Sequence, residues 1–171
     1  HVMADRATLG AEKFLAVGKG FTIPMSMLIR AEFDYVALGH VHKHQNLNPS
    51  NDPPVIYPGS IERVDFGEEK EDKGYIFLEV ESGKVEWEFC TLPARPFITI
   101  ELDVSAAEDP LEQVLQAIAQ QEIEQKVVRL IYKLRSQQLD LINTAALDRA
   151  LQSAHSHSIR PELISQLARP R

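Results

Sequence analysis

The chain has 171 residues, is 44% hydrophobic and 25% charged, and carries a net charge of −7. That composition fits a globular protein of one large or two small domains and excludes a wholly basic nucleic-acid coat. No apolar run approaches the roughly 18 to 20 residues that span a bilayer and no signal-peptide pattern opens the chain, while Cys90, the only cysteine, rules out an internal disulfide and makes a reducing, cytoplasmic compartment the expected one.

The sequence opens on His1 rather than methionine, without a helix cap or polar tail, so a longer parent polypeptide is expected. Apolar residues over 22–29 recur at helical spacing after Pro24. Residues 35–38 form an apolar strand that runs into Gly39, His40, Val41 and His42. A strand sends alternate side chains to one face, so its continuation would aim His40 and His42 the same way. Gly39 would let the backbone turn or approach a ligand closely. Ligands gather at the carboxyl ends of strands in open sheets, and two neutral imidazoles placed there suit a metal ion. The competing reading is a pair of loop histidines with ordinary hydrogen bonds.

Residues 46–54 are a polar loop, and Val55-Ile56-Tyr57 is a short strand ended by Pro58-Gly59-Ser60. Glu68, Glu69, Glu71 and Asp72 read as a solvated turn. Residues 75–80 and 85–89 make a hairpin across Glu81-Ser82-Gly83-Lys84, with Val85, Trp87 and Phe89 on one face. Cys90 lies at a strand end and is read as packed rather than reactive.

Leu92-Pro93-Ala94-Arg95-Pro96 divides residues 1–92 from residues 96–171, because two prolines there fix an extended path. A small β-α-β-α domain follows. Ile98, Ile100, Leu102 and Val104 alternate with polar residues as a strand buried on one face. Asp109-Pro110-Leu111-Glu112 starts a helix with an N-cap and a first-turn proline, and Leu111, Val114, Leu115 and Ile118 form its apolar stripe. Val128, Leu130, Tyr132 and Leu134 give a second strand, and Ala146, Leu147, Ala150 and Leu151 a second helix. Arg129, Lys133 and Arg135 alternate on the opposite strand face, either tracking a phosphate backbone or serving as an ordinary polar face. His155 and His157 read as a surface loop.

Four motifs follow one another in order: Phe33-Asp34-Tyr35-Val36-Ala37-Leu38-Gly39-His40-Val41-His42, Tyr57-Pro58-Gly59-Ser60, Asp65-Phe66-Gly67-Glu68 and Lys73-Gly74-Tyr75. In this order and spacing they resemble the SbcD family of DNA-end-processing nucleases, within the calcineurin-like metallophosphoesterases. His1, with Leu9-Gly10-Ala11-Glu12, is similar to that family's preceding histidine motif. The resemblance covers His1 to about Leu92; from Phe97 onward it rests on element order, which matches the family's small capping domain. It implies an α/β (α+β) fold class: the C-terminal half of a calcineurin-like β-sandwich phosphoesterase domain over 1–92, then a β-α-β-α capping domain that guides DNA over 96–171.

The resemblance further implies two divalent ions, manganese, hydrolysing DNA phosphodiesters in end processing and repair. His1 and His40 would hold one ion and His42 the other. His44 would face DNA or support a ligand. Tyr57, Gly59 and Ser60 would border the active site, the alternative being a plain Pro-Gly turn. Asp65 and Glu68 fall outside the ligand set and are read as structural or as hydrogen-bonding support. The implied partners are DNA, an SbcC-type coiled-coil ATPase whose docking segment normally lies beyond the cap, and a second copy of the nuclease.

One departure stands out. The bridging carboxylate, the D-x-H pair and the G-N-H-[DE] segment with its asparagine ligand and transition-state histidine do not occur between His1 and Arg171. The catalytic residues are therefore not assignable within this chain, and the chain alone is expected to bind manganese weakly and to cleave DNA negligibly. Two other functions stay open: a calcineurin-like phosphoesterase on a non-DNA substrate, which usually lacks the β-α-β-α appendage, and a non-catalytic scaffold that binds DNA or protein.

Overall fold

Two units divide the chain, residues 1–94 and 95–171. The computed structural model describes residues 2–10, 21–81 and 83–164. His1, Ala11 and Glu12 of the quoted motifs, and Ser82 of the hairpin turn, lie outside the described residues.

In the first unit β1 (Val2–Ala4) pairs in parallel with β2 (Phe21–Ile23). The one-turn helix α1 (Met25–Leu28) follows Pro24, whose backbone is extended. The helical spacing over 22–29 is thus split: Thr22 and Ile23 continue the strand and only the residues after the proline coil. The Met25 N–H donates to Asp5 Oδ1 at 3.2 Å, tying the start of α1 to the end of β1. A second sheet places β5 (Val55–Tyr57) between β3 (Val36–Ala37), parallel to it, and β4 (Gln45–Asn46), antiparallel to it. All three residues of β5 are fully buried, as the continuous apolar run of a central strand leads one to expect.

The core of this unit gathers Ala4, Met25, Leu28, Val41, Val55 and Tyr57. A buried phenol needs a hydrogen-bond partner, and the Tyr57 hydroxyl accepts the Ala4 N–H at 2.9 Å. Strands β6 (Gly74–Glu81) and β7 (Lys84–Thr91) form the antiparallel hairpin, with Ile76 opposite Phe89, Leu78 opposite Trp87 and Val80 opposite Val85. Directly opposed residues share a face, so the apolar row of Val85, Trp87 and Phe89 gains a matching row from β6. Gly74 is required by packing: a Cβ there would sit 2.2 Å from the Cys90 carbonyl oxygen and press on the Phe89 ring.

The second unit runs β8 (Phe97–Asp103), α2 (Pro110–Ala119), β9 (Val127–Leu134), a 3-10 helix (Ser136–Leu141), α3 (Thr144–Ala150) and β10 (Ser156–Leu163). The sheet is wholly parallel, in the order β10-β9-β8. Parallel crossovers are right-handed, and an order that advances one strand at a time then sends α2 and α3 to the same face. The core lies there, uniting Val114 and Ile118 of α2 and Leu147 of α3 with Val128, Leu130, Tyr132 and Leu134 of β9. The helix start read from the sequence forms as such, with Asp109 Oδ1 accepting the Glu112 N–H at 2.9 Å and Pro110 in the first turn.

β10 corrects the surface-loop reading for His157, which lies on this strand with Nε2 3.0 Å from Asp148 Oδ1. His155 sits in an exposed bend just before it, where its N–H donates to the Lys126 carbonyl at 2.9 Å. The unit is therefore β-α-β-α-β rather than β-α-β-α. Ser156–Leu163 hides in the sequence because it lacks apolar alternation and contains Pro161, which an edge strand tolerates and a central one does not. Among the described residues no helix is long and apolar enough to cross a membrane.

Candidate metal centre

β3 ends at Ala37, so strand geometry stops before the histidines arrive. His40 takes φ +86°, a left-handed conformation that costs a non-glycine residue roughly 1–2 kcal/mol. Gly39 is not among the residues with positive φ, and a Cβ there would meet nothing within 4 Å. The turn assigned to Gly39 in the sequence thus falls on His40 itself, and strand alternation no longer relates the two rings. Val41 between them is buried in the core, which anchors the loop at its midpoint.

His42 is held from behind. Its Nδ1 lies 2.8 Å from Glu68 Oε1; the ring is 29% exposed and the carboxylate not at all. Glu68 Oε2 takes the Lys73 ammonium at 2.8 Å and the Val64 N–H at 3.3 Å. Lys73 is itself buried, and its Nζ also reaches Glu71 Oε2 at 3.1 Å and the His42 carbonyl at 3.3 Å. Burial alone would push the Glu68 carboxyl upward. Hydrogen bonds from Lys73, His42 and the Val64 N–H, together with the Lys73 charge, outweigh it and hold the group below the ordinary carboxylate range.

The backbone explains how Glu68 gets there. Asp65 Oδ1 accepts the Gly67 N–H at 2.7 Å and caps a 3-10 turn, Phe66–Glu68, that carries Glu68 inward. The Arg63 guanidinium then fixes the loop, donating to the carbonyls of Glu68 at 3.2 Å, Glu71 at 2.7 Å and Ala94 at 3.2 Å. The solvated turn read over 68–72 is accordingly corrected for Glu68, which is wholly buried. Sequence reasoning missed Lys73 because lysine is almost never fully buried unless paired, and it missed Arg63 because its partners are backbone carbonyls that no short motif announces. The usable signal was Lys73-Gly74-Tyr75, a lysine directly before a glycine that packing demands.

The Pro58-Gly59-Ser60 turn lies against the histidine loop. Gly59 has φ +86°, and a Cβ on it would come within 2.8 Å of the His42 carbonyl oxygen and 2.9 Å of the His44 nitrogen. The Ser60 N–H donates to the His42 carbonyl at 3.0 Å, and Ser60 Oγ donates to the Glu62 carbonyl at 2.9 Å. His44 Nδ1 is 2.9 Å from the Tyr57 carbonyl oxygen. Its ring stacks on Phe89 with centroids 4.0 Å apart and planes within 9°. Tyr57 has no exposed surface; its side chain belongs to the core, and the half-buried Pro58, Gly59 and Ser60 are what that segment presents outward.

In the second unit Arg129 and Lys133 share the β9 face opposite the core, but each has a neighbour. Arg129 Nε and one terminal nitrogen donate to Thr99 Oγ1 at 3.3 and 3.0 Å, and Lys133 Nζ donates to Glu101 Oε1 at 2.8 Å. That bond, with the Lys133 charge, holds the Glu101 carboxyl below its ordinary range. Arg135 comes after the end of β9 and precedes the 3-10 helix Ser136–Leu141, so the alternating stripe ends at Lys133.

Among the described residues no group of three or more His, Cys, Asp or Glu side chains is arranged to hold a metal ion. The imidazoles of His40 and His42 do not by themselves complete a cage.

No protein-family model matches the chain. Its relatives include the uncharacterized metallophosphoesterase YhaO of Bacillus subtilis, 42% identical over 62 residues, which are 36% of this chain and 15% of that protein. They also include two proteins named as the SbcD subunit of the nuclease SbcCD. The one from Staphylococcus saprophyticus is 32% identical over 85 residues, covering 50% of this chain and 21% of that protein; the one from Staphylococcus epidermidis is 30% identical over 106 residues, covering 62% and 27%. The chain thus spans between 15% and 27% of the length of these relatives. Their names bear out the resemblance read from the motifs: this chain is related to SbcD-like metallophosphoesterases.

Proposed function

We propose that the chain is part of an SbcD-like nuclease subunit that hydrolyses DNA phosphodiesters with two divalent ions, manganese, during DNA end processing and repair in the cytoplasm. The observation that carries this reading is the His42 ring, held through Nδ1 by the buried carboxylate of Glu68 at 2.8 Å, in a loop that leaves a sheet strand. Metal-ligating imidazoles are oriented in this way, by a carboxylate or carbonyl on the nitrogen that does not bind the ion. In this reading His40 and His1 hold one ion and His42 the other. When bound, the ions activate a water and neutralise charge on the phosphodiester oxygens.

The chain's own residues orient and exclude. Glu68 and Ser60 fix the ring and the carbonyl of His42, while Gly59 brings the Pro58–Ser60 backbone close to the histidine loop, where a sugar-phosphate chain can approach. His44 borders the same path. The second unit acts as a cap that guides DNA, with Arg129, Lys133 and Arg135 as its candidate phosphate contacts. An SbcC-type ATPase and a second nuclease subunit are the proposed partners.

The described residues supply imidazoles without the bridging carboxylate, so the activity belongs to a polypeptide that also carries D-x-H and G-N-H-[DE]. Linear duplex DNA incubated with manganese and the purified 171-residue chain is expected to stay intact, and a polypeptide containing those motifs is expected to cut it and to lose activity on His42→Ala. Manganese-dependent cutting by the 171 residues alone contradicts the incomplete ligand set. The pairing of Lys133 with Glu101 favours a second reading, a phosphoesterase on a non-DNA substrate. Hydrolysis of bis(4-nitrophenyl) phosphate by the longer polypeptide, without DNA cleavage, would select it.

A further inference from the structure

Glu68 and Lys73 are the buried charged residues among those described, 0% and 1% exposed. Burying an ion pair gains little stability over an apolar pair of similar volume, so fold stability is a weak account of why these two charges are there. Their geometry gives another. One carboxylate oxygen meets the ring of His42 and the other meets Lys73, and Lys73 in turn donates to the His42 carbonyl. Ring and backbone of the same histidine are thus tied to one buried pair, whose loop is pinned by Arg63.

We propose that Glu68 is a positioning residue that fixes the tautomer of His42, with Lys73 as the clamp that keeps Glu68 in place. An ionised carboxylate can only accept, so His42 Nδ1 must carry the proton it shares with Oε1. In the neutral form of the ring, the form that ligates a metal, the single N–H is therefore the one on Nδ1 that faces Oε1. Nε2 is then the nitrogen with the lone pair, the form a metal requires. His44 makes the same choice with a different acceptor, the Tyr57 carbonyl, and serves as an internal comparison. The inference rests on the proposed function only for what Nε2 meets; the tautomer itself does not depend on it.

Long-range proton–nitrogen NMR of the histidine rings in the full 171-residue chain tests the proposal. The wild type is expected to show His42 with a protonated Nδ1 and an unprotonated Nε2. Glu68→Met combined with Lys73→Met removes the acceptor without leaving an orphaned charge; it is expected to give a tautomer mixture at His42 while the His44 ring stays unchanged. Glu68→Gln combined with Lys73→Met keeps an acceptor oxygen and is expected to restore the wild-type pattern. Manganese affinity should fall about 10- to 100-fold in the first double variant and recover in the second. A wild-type His42 protonated on Nε2, or a tautomer indifferent to loss of Glu68, overturns the proposal, as does unchanged manganese affinity in the first double variant. The wild-type spectrum decides the tautomer even where a variant does not fold. Absence of manganese binding by every form would refute the metal reading under the proposed function and leave the tautomer result to decide this one.

Discussion

A methyl group added at Gly59 would have to occupy space already held by the His42 carbonyl and the His44 nitrogen, in a backbone conformation only glycine adopts freely. Gly39, three residues before His42, has open space and no positive φ. Two glycines beside the same histidines therefore predict opposite outcomes. Gly59→Ala should destabilise the chain by about 2–5 kcal/mol, from the left-handed φ and the backbone collision together, whereas Gly39→Ala should stay within about 0.5 kcal/mol. Urea unfolding monitored by Trp87 fluorescence separates them, and equal stabilities would contradict the close approach of the Pro58–Ser60 turn. The histidines were legible in the sequence because an apolar strand ran into them. Glu68 and Lys73 were not, because a run such as Glu68-Glu69-Lys70-Glu71-Asp72 reads as solvated, and only the 3-10 turn capped by Asp65 turns one carboxylate inward.

At the scale of elements, β9 shows what pattern can and cannot reveal. Its alternation was readable because Val128, Leu130, Tyr132 and Leu134 are all buried, and a period of two marks a half-buried strand. The partners of its other face were not readable, since register sets them: Thr99 lies opposite Arg129 and Asp103 opposite Lys133, with Glu101 within reach of the Lys133 ammonium. The strand over 35–38 forms as β3, but its continuation to the histidines does not, since β3 ends at Ala37 and the chain turns at His40; β10 went unread because a proline disguises it. The Lys133–Glu101 bridge carries a pH signature. Because the folded Glu101 carboxyl lies below its ordinary value, its contribution to stability is fully present above the ordinary carboxylate range and is lost as pH falls through the lowered value. Carbon-detected NMR titration should show Glu101 rising toward the ordinary value in Lys133→Ala. An unchanged titration would mean that the bridge is absent in solution, leaving Lys133 available to phosphate.

The whole molecule consists of two units. Residues 1–94 present histidines at the end of a strand, and residues 95–171 form a β-α-β-α-β layer with a mixed-charge strand face. The similarity to SbcD-like proteins covers only a fraction of their length, so what this chain can show by itself is the histidine corner. Electron paramagnetic resonance of manganese titrated with the purified chain reads that corner directly, because free and bound ions give different signals. The expected result is weak, saturable binding that falls more than about tenfold in His40→Ala combined with His42→Ala, with the fold intact by circular dichroism. Equal binding by the wild type and by the double variant would contradict a metal site at these histidines.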